Sequence, residues 1–289
     1  MSQRGAFRQA DPGQLRSDSV FVLLPVLNEI ANIGRLLDQI EDALRGLSYT
    51  IGILDDGSTD GTLAYLEQRM QRPDHHLHLI CRKKWRRASQ RGAALWTLLR
   101  WGLTDTGHEI FVEMDGDLSH RPEELMEGIR LIAANHCDVA IASKYVAGSR
   151  VLNRPLGRRL VSRICSFAVS ALISPRILDY SNGFRFYTRA AARMVADHKI
   201  RYGSPIYLSE VLALWLKRGL RVNEFATTYV GRSEGVSNLR MADLVKAGIA
   251  IFEISLRYHF LDFPGCAREG VLVAPGHTSE RHQIQRGGC

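Results

Sequence analysis

Short apolar runs alternate with amphipathic helical segments along the first half of the chain. Five runs rich in Val, Ile and Leu recur at intervals typical of βα units, and they are apolar on both faces, as strands of a covered parallel sheet are. These runs are Val20–Leu24, Thr50–Leu54, Leu77–Cys81, Ile110–Met114 and Asp138–Ala142. The alternation predicts right-handed crossovers and an α/β fold, with an open, mostly parallel, Rossmann-like sheet and flanking helices.

Four helices are predicted between these runs. Apolar residues spaced i, i+3 and i+4 predict the first helix from Ile30 to Leu47. Asp60 is a good N-cap for the second helix, and the third covers roughly Arg91 to Leu103. Pro122 suits the first turn of the fourth helix. Each helix has an apolar stripe that can cover one face of the sheet.

The pattern changes after about residue 145, where Gly, Pro and Arg in Tyr145–Arg159 predict a loop. Three helices and one strand are predicted beyond it, over Leu160–Ile173, Pro205–Lys217, Met241–Phe260 and Arg221–Val230. We therefore divide the chain into a disordered N-terminus (1–18), one α/β domain (19–240), a C-terminal helix that packs on the domain or on a membrane surface (241–263), and a mobile tail (264–289).

Composition and charge narrow the possible partners. With 45% hydrophobic and 24% charged residues the chain has globular composition, and its formal charge of +8 implies an acidic partner: nucleic acid, an anionic membrane or a phosphorylated substrate. The polar segment Met1–Arg16 has no apolar signal region, so we expect a cytoplasmic protein. The best apolar run, Ile164–Pro175, is too short to span a bilayer, which leaves peripheral contact with a membrane. The five cysteines are scattered without metal-ligand spacing, and we expect reduced thiols.

Two acidic turns follow apolar strands and carry the chemistry. The first is Asp55–Thr62 (DDGSTDGT) and the second is Asp115–Asp117 (DGD). Ligands of open α/β sheets gather at the carboxyl ends of the strands, and carboxylates there can hold a divalent cation that in turn holds a diphosphate. Gly116 frees the backbone, so that both aspartates of the second turn can reach one Mg²⁺ or Mn²⁺. The two turns predict a nucleotide-sugar site.

Other interpretations of these residues stay open. Asp60–Leu63 looks like half of a haloacid dehalogenase phosphatase motif, but that motif needs Asp where this chain has Ser58. Glu29 is either a group that binds a base or ribose, or an acid that favours a helix N-terminus. The basic run around Trp85 (Arg82–Arg87) suits RNA, a small phosphate or a lipid phosphate. We do not expect nucleic acid, because such runs are commonly solvated or bind smaller phosphates.

Residues 20 to about 260 resemble the GT-A glycosyltransferases of family 2, and among them the dolichyl- and polyprenyl-phosphate mannose synthases. Six stretches carry the resemblance in order and spacing: PVLNE at Pro25, DDGSTDGT at Asp55, MDGDLSHRP at Met114, RRLVSRICS at Arg158, DYSNGFRFY at Asp179 and GRSEGVSN at Gly231.

The resemblance implies roles for individual residues. The nucleotide sugar would be bound by Pro25, Leu27, Glu29, Asp56, Asp115, Gly116 and Asp117, with Asp115 and Asp117 on the Mg²⁺ or Mn²⁺ ion. The acceptor and its phosphate would be bound by Ser119, Lys144, Arg163, Arg185 and Arg232, of which Arg163 and Arg232 share the catalytic role with Asp117. Lys144 stands where relatives often have arginine, and Asn238 where they have lysine, and these departures bear on the acceptor and not on the fold.

The implied reaction is transfer of a hexose, with inversion, to a polyprenyl or dolichyl phosphate. The favoured donor is GDP-mannose, with UDP-glucose possible, and the protein would act at the cytosolic face of a membrane, where a membrane-anchored partner subunit is plausible. An acceptor phosphate is already ionised at neutral pH and needs no strong general base. One alternative is a soluble transferase with a hydroxyl acceptor, which would need such a base. A non-catalytic nucleotide- or RNA-binding protein is another.

Overall fold

The structure is a computed structural model that describes residues 19–73, 75–82, 91–153, 156–198, 200–204, 206–231 and 241–258. Nine strands are found in these ranges: β1 (Ser19–Val26), β2 (Ser48–Asp55), β3 (Leu77–Cys81), β4 (Ile110–Glu113), β5 (Val139–Ser143), β6 (Arg150–Leu152), β7 (Arg185–Thr188), β8 (Val222–Ala226) and β9 (Thr228–Val230). The helices of the same ranges are α1 (Ile30–Ala43), α2 (Thr62–Arg69), α3 (Arg91–Asp105), α4 (Leu125–Ala133, after a 3₁₀ turn at Pro122–Glu124), α5 (Leu156–Ile173), α6 (Arg189–Asp197), α7 (Tyr207–Lys217) and α8 (Met241–Arg257).

Seven strands form one mixed sheet in the order β3-β2-β1-β4-β7-β5-β8, which confirms the predicted fold class. All neighbouring strands of this sheet are parallel except β7, which runs antiparallel between β4 and β5. The sequence pattern did not predict β7, because its four residues begin with the charged Arg185 and carry no apolar run. The other two strands, β6 and β9, form a separate parallel pair.

The core lies on both faces of the sheet because β1 alternates its buried side chains between them. Phe21 and Leu23 enter the cluster under α3, α6 and α7, which includes Trp215. Val22 and Leu24 enter the cluster under α1 and α4 on the opposite face. Each fully buried side chain of this size contributes about 1.5–3 kcal/mol relative to its exposed state. The double cover explains why the strands are apolar throughout.

Several sequence-based boundaries shift in the structure. The predicted loop Tyr145–Arg159 contains β6 and the start of α5, so that assignment was wrong in part. The predicted strand Arg221–Val230 is split between two sheets at Thr227, whose hydroxyl bonds the Glu124 carboxylate. Helix α2 begins at Thr62, two residues after its expected cap, although Thr62 N donates to Asp60 Oδ1 at 3.0 Å.

Helix α8 packs against the domain. The Ser255 hydroxyl donates to the Leu172 carbonyl of α5 at 2.7 Å, and Arg257 donates to the buried Glu210 carboxylate of α7 at 2.9 Å. No helix in the described ranges has both the length and the apolarity to cross a bilayer. The expected disordered N-terminus (1–18) and mobile tail (264–289) lie outside the described residues.

Gly128→Ala tests the packing of α4 on the sheet. A methyl group at position 128 would overlap the ring of Phe186, because this glycine lies directly against β7. We expect a loss of about 1–3 kcal/mol in the free energy of unfolding, as overpacked cores show. Urea unfolding followed by circular dichroism measures it.

Gly248→Ala is the matched control for this substitution. Gly248 lies within α8 and has open space around it, so the same change should stabilise the protein by up to about 1 kcal/mol through helix propensity. Equal destabilisation by the two substitutions would contradict the packing described here.

Candidate active site at the carboxyl edge of the sheet

Hydrogen bonds join the turn after β1 to the acidic turn after β2. Asn28 has a left-handed backbone (φ 56°) and its N–H donates to Ser58 Oγ at 2.9 Å. In return, Thr59 N donates to Asn28 Oδ1 at 2.8 Å, and Ile30 N donates to Asp60 Oδ2 at 3.1 Å. These contacts hold the segment Pro25–Glu29 and the DDGSTDGT turn together at the carboxyl ends of adjacent parallel strands.

The adjacent carboxylates of this turn are compensated in different ways. Asp55 is buried, and its Oδ1 accepts hydrogen bonds from the N–H groups of Gly57 (3.0 Å) and Ser58 (2.9 Å). Its Oδ2 is also buried and accepts no hydrogen bond from the described residues. Asp56 is more accessible, and its Oδ1 accepts from Arg82 Nε at 3.0 Å. The repulsion expected between the two acids is therefore relieved by backbone donors and by one arginine.

The DGD turn lies directly against the segment Pro25–Glu29 at the end of β1. A methyl group at Gly116 would lie 3.1 Å from Val26 Cγ1 and 3.5 Å from Glu29 Cγ, so a larger residue here would push the Val26 side chain aside. Asp117 is half-buried, and its Oδ1 accepts from Ser119 N at 3.0 Å. The structure thus brings together both acidic turns and the PVLNE segment, as the sequence predicts.

Asp115 is ion-paired to a residue outside the predicted site. Arg91 Nε lies 2.7 Å from Asp115 Oδ1, and Arg91 Nη1 donates to the Tyr207 hydroxyl at 3.1 Å. That hydroxyl donates to Glu113 Oε2 at 2.5 Å, and the Tyr187 hydroxyl donates to Glu113 Oε1 at 3.1 Å. A network of charged groups linked by neutral tyrosine hydroxyls therefore connects the DGD turn with β7 and α7.

His120 supports the same turn as a neutral imidazole. Its Nδ1 accepts from Asp115 N at 3.1 Å, which assigns the proton to Nε2, and Nε2 donates to Asn182 Oδ1 at 2.9 Å. The ring stacks on Phe184. Burial lowers the pKa of His120, and the nearby carboxylates of Asp115 and Asp117 offset this only in part.

Lys144, predicted to bind the acceptor phosphate, lies in a buried ion pair. Its Nζ is 3.5 Å from Asp179 Oδ2 and 3.2 Å from Ser181 Oγ, and it faces the ring of Tyr229 at 5.1 Å. Burial alone would raise the pKa of Asp179, but the Lys144 charge and hydrogen bonds from Lys144 and Ser181 outweigh burial and lower it. In this geometry the ammonium group of Lys144 neutralises the carboxylate of Asp179.

Arg185 does not reach the site. It is fully buried, and it donates to the backbone carbonyls of Asn182 (3.0 Å), Tyr180 (3.2 Å) and Leu208 (2.7 Å). A contact with an acceptor phosphate does not fit this position, because the guanidinium is enclosed by the chain that it supports. The family motif locates the residue correctly in sequence but does not reveal its burial.

The remaining predicted acceptor residues lie in different environments. Ser119 is buried, and its Oγ has no hydrogen-bond partner among the described residues. Arg163 is exposed on α5. Arg232 lies outside the described residues, one position after Gly231.

The DGD turn fits a divalent cation. It offers two half-buried carboxylates at the end of a strand, and hard cations such as Mg²⁺ and Mn²⁺ prefer oxygen ligands. In the described part of the chain no group of three or more His, Cys, Asp or Glu side chains could hold a metal ion. A cation here would therefore take further oxygen ligands from a bound phosphate or from water.

Three residues of the site were not among the predicted site residues: Arg91, Glu113 and His120. Arg91 carried one usable signal, because a cation at the first position of a predicted helix is unfavourable for the helix dipole. Glu113 lies within an apolar strand, where an acid needs a buried partner. His120 lay within the matched stretch MDGDLSHRP without a role of its own.

Comparison with known proteins gives the same family. The family model described as glycosyl transferase family 2 matches residues 21–195. The chain is 29% identical over 250 residues to the polyprenol monophosphomannose synthase of Mycolicibacterium smegmatis, covering 86% of this chain and 91% of the relative. It is 28% identical to the undecaprenyl-phosphate mannosyltransferase of Micrococcus luteus, covering 76% and 87%.

Solved structures agree on the fold. Glucosyl-3-phosphoglycerate synthase from Mycobacterium tuberculosis, crystallised with Mn²⁺, UDP and glucosyl-3-phosphoglycerate, superimposes with a TM-score of 0.60 at 19% identity, over 88% of this chain and 84% of that one. The fold, the two acidic turns and the matched family model lead to one conclusion: the chain belongs to glycosyl transferase family 2 and is a glycosyltransferase with a GT-A-like fold.

Proposed function

We propose that the protein transfers a hexose to a polyprenyl monophosphate with inversion at the anomeric carbon. The favoured hexose is mannose, with GDP-mannose as the donor. One observation supports a lipid phosphate as the acceptor: a short series of contacts connects the DGD turn with α5, a helix that exposes apolar side chains. The names of the two mannosyltransferase relatives support both the sugar and the lipid phosphate.

The donor nucleoside would occupy the edge between the first two turns. Asp55 is enclosed, and its hydrogen bonds to the N–H groups of Gly57 and Ser58 would fix the turn beneath the nucleoside without contact with it. Glu29 and Asp56 lie on the same edge and are partly accessible, with Pro25 and Leu27 beside them. These residues can bind a nucleoside, and base identity would depend on few hydrogen bonds.

The donor diphosphate would lie at the DGD turn. Asp115 and Asp117 are the residues that would hold a Mg²⁺ or Mn²⁺ ion. When bound, such an ion neutralises the charge that develops on the departing diphosphate. Arg91, held 2.7 Å from Asp115, adds a fixed positive charge on the same side of the turn. The neutral His120 fixes the backbone of Asp115 without adding a competing charge.

The acceptor side continues from the DGD turn to α5. Val230 N donates to the Ser119 carbonyl at 3.1 Å, which fixes β9 against the turn. The neighbouring Tyr229 ring faces Lys144, and the next residue, Tyr145, bonds Ser162 of α5 through its hydroxyl at 2.8 Å. A lipid phosphate at this place would have its head group near the DGD turn and its chain along α5.

The exposed face of α5 and α8 suits a lipid surface. Phe167 (75% exposed) and Ile164 (58%) project from α5, and Ile249 (56%) and Phe252 (44%) from α8. We call these four residues the apolar face. Arg163 and Lys246 are exposed cations of the same two helices, and Arg176 follows α5 closely. In the proposal these cations would add attraction to anionic head groups.

The chemistry needs little from the protein beyond positioning and charge. A phosphate oxygen of the acceptor attacks the anomeric carbon as the bond to the donor diphosphate breaks, and the nucleoside diphosphate leaves. The acceptor phosphate is already an anion near neutral pH, so no general base is required. The half-buried DGD turn and fixed cations lower the cost of moving charge from acceptor to leaving group.

Asp117→Asn should abolish transfer while leaving the fold intact. The amide keeps the shape of the side chain but removes the charge expected to bind the cation, and we expect turnover to fall at least about a hundredfold, as for lost electrostatic groups in other active sites. The assay incubates the protein with Mg²⁺ or Mn²⁺, a polyprenyl phosphate and radiolabelled GDP-mannose or UDP-glucose, then counts label in the organic extract.

Glu123→Gln is the matched control, because Glu123 is an exposed acid near the same turn that pairs only loosely with Arg121 at 3.4 Å. It should retain full activity. Undiminished transfer by Asp117→Asn at saturating donor and metal would contradict the proposed site. Consumption of the nucleotide sugar with only water-soluble product would instead favour a hydroxyl acceptor.

Phe167→Ser combined with Ile249→Ser should weaken binding to vesicles that contain anionic lipid. Burying one Phe side chain is worth roughly 1.5–3 kcal/mol, so we expect the partition coefficient to fall at least about tenfold. Sedimentation with sucrose-loaded vesicles measures this binding.

Trp96→Ser removes an exposed aromatic of α3, a helix that contributes nothing to the apolar face as defined, and should leave vesicle binding unchanged. Activity toward a short-chain, water-soluble acceptor phosphate should survive the double substitution. Equal vesicle binding by the double variant and the unaltered protein would show that the apolar face does not meet the lipid.

A further inference from the structure

A buried arginine is fixed against the first carboxylate of the DGD turn. Arg91 Nε and Nη2 lie 2.7 Å and 2.6 Å from the same oxygen, Oδ1 of Asp115, and the Arg91 side chain is only 16% exposed. Asp115 Oδ2 points to the other side, 3.7 Å from His120 Nε2. The guanidinium therefore occupies one oxygen of a carboxylate that the proposed function assigns to a divalent cation.

Arg91 is held there by contacts behind it. Its Nη1 donates to the Tyr207 hydroxyl at 3.1 Å, and Tyr207 is itself tied to the buried Glu113. Gly183 packs so closely on the guanidinium that a side chain at 183 would collide with Arg91 Nη2. The residue also begins α3, where the helix dipole repels a cation. The ion pair with Asp115 offsets the cost of this position and ties the charge of Arg91 to the DGD turn.

We infer that Arg91 is a positioning residue that makes cation binding at the DGD turn depend on the donor diphosphate. A divalent cation on Asp115 and Asp117 would approach a fixed positive charge within a partly buried site, where charges interact more strongly than in water. The diphosphate is attracted by both cations and removes the repulsion between them. The metal and the donor then bind as one unit, each strengthening the binding of the other.

The inference rests on the proposed assignment of the cation to Asp115 and Asp117, and it differs from a purely structural role of Arg91. If Arg91 only holds α3 and α7 together, its removal lowers stability and leaves the balance between metal and nucleotide unchanged. If it sets the charge of the turn, its removal tightens binding of the metal alone and reduces the gain that a nucleoside diphosphate provides. The two roles therefore differ in a binding measurement that needs no catalysis.

The test measures Mn²⁺ binding by electron paramagnetic resonance, without nucleotide and with saturating GDP or UDP. The unaltered protein should bind Mn²⁺ weakly alone and at least about fivefold more tightly with the diphosphate, a typical coupling. Arg91→Gln should bind Mn²⁺ alone at least about fivefold more tightly than the unaltered protein, and its gain from nucleotide should shrink by a similar factor. Arg91→Lys keeps the charge and should stay close to the unaltered protein in both measurements.

Arg69→Gln is the matched control. Arg69 is also a largely buried arginine, with 4% of its side chain exposed, and it pairs with Asp38 and Glu41 far along the chain from the DGD turn. Its loss should not change Mn²⁺ binding. Should Arg91→Gln fail to fold, Tyr207→Phe removes the hydroxyl that anchors Arg91 and should shift both values in the same direction by a smaller factor.

Two results would overturn the inference in distinguishable ways. The first result is a folded Arg91→Gln variant with the Mn²⁺ affinity and the gain from nucleotide of the unaltered protein. It would leave Arg91 with a structural role alone. Where Arg91→Gln does not fold, the same result in Tyr207→Phe has the same meaning. No Mn²⁺ binding by the unaltered protein, with or without diphosphate, would overturn both the inference and the proposed metal at the DGD turn.

Discussion

Carboxylates crowded at one edge of a sheet have to be neutralised, and this constraint organises the site. The register of β1, β2 and β4 brings both acidic turns to one edge, and each acid has its own compensation. Asp56 is paired with Arg82 and Asp115 with Arg91. Asp55 relies on backbone N–H groups for one oxygen. Because the protein supplies these partners itself, the edge is formed without a ligand, and the proposed diphosphate would not have to reorganise it.

The same balance extends into the core. Glu113 is a buried acid that receives hydroxyl groups from Tyr187 and Tyr207, and Tyr207 also contacts Arg91. Burial raises the pKa of both tyrosines well above the usual value, so they remain neutral donors to the carboxylate. The chemistry of the DGD turn is thus connected to β7 and α7, and substitutions in these elements can alter charge at the site without contact with substrate.

The sequence predicted those parts of the fold that depend on local pattern. The apolar runs became β1 to β5, and the acidic turns came together because the carboxyl ends of neighbouring parallel strands share an edge. Strand β7 could not be read in this way, because RFYT is short and begins with a charged residue. Arg91 also escaped prediction as a site residue, since its partner Asp115 is distant in sequence. Such pairs depend on tertiary packing, which periodicity does not encode.

The family motifs align the residues of this chain, but they do not show what each side chain contacts. Arg185 occurs where the family pattern has an arginine, yet it is enclosed and donates to backbone carbonyls. Lys144 likewise is taken up by Asp179. Both assignments assumed that a cation at a position where the family has arginine faces the ligand, and burial decides whether it does.

In the proposed mechanism the DGD turn binds the diphosphate through a divalent cation. Anomalous diffraction at the manganese edge from crystals grown with Mn²⁺ and GDP can show this binding. We expect one strong peak in contact with the carboxylates of Asp115 and Asp117 and with the phosphates, and a nucleoside beside Glu29 and Asp56. A nucleotide bound elsewhere on the molecule, or a peak that touches neither aspartate, would contradict it.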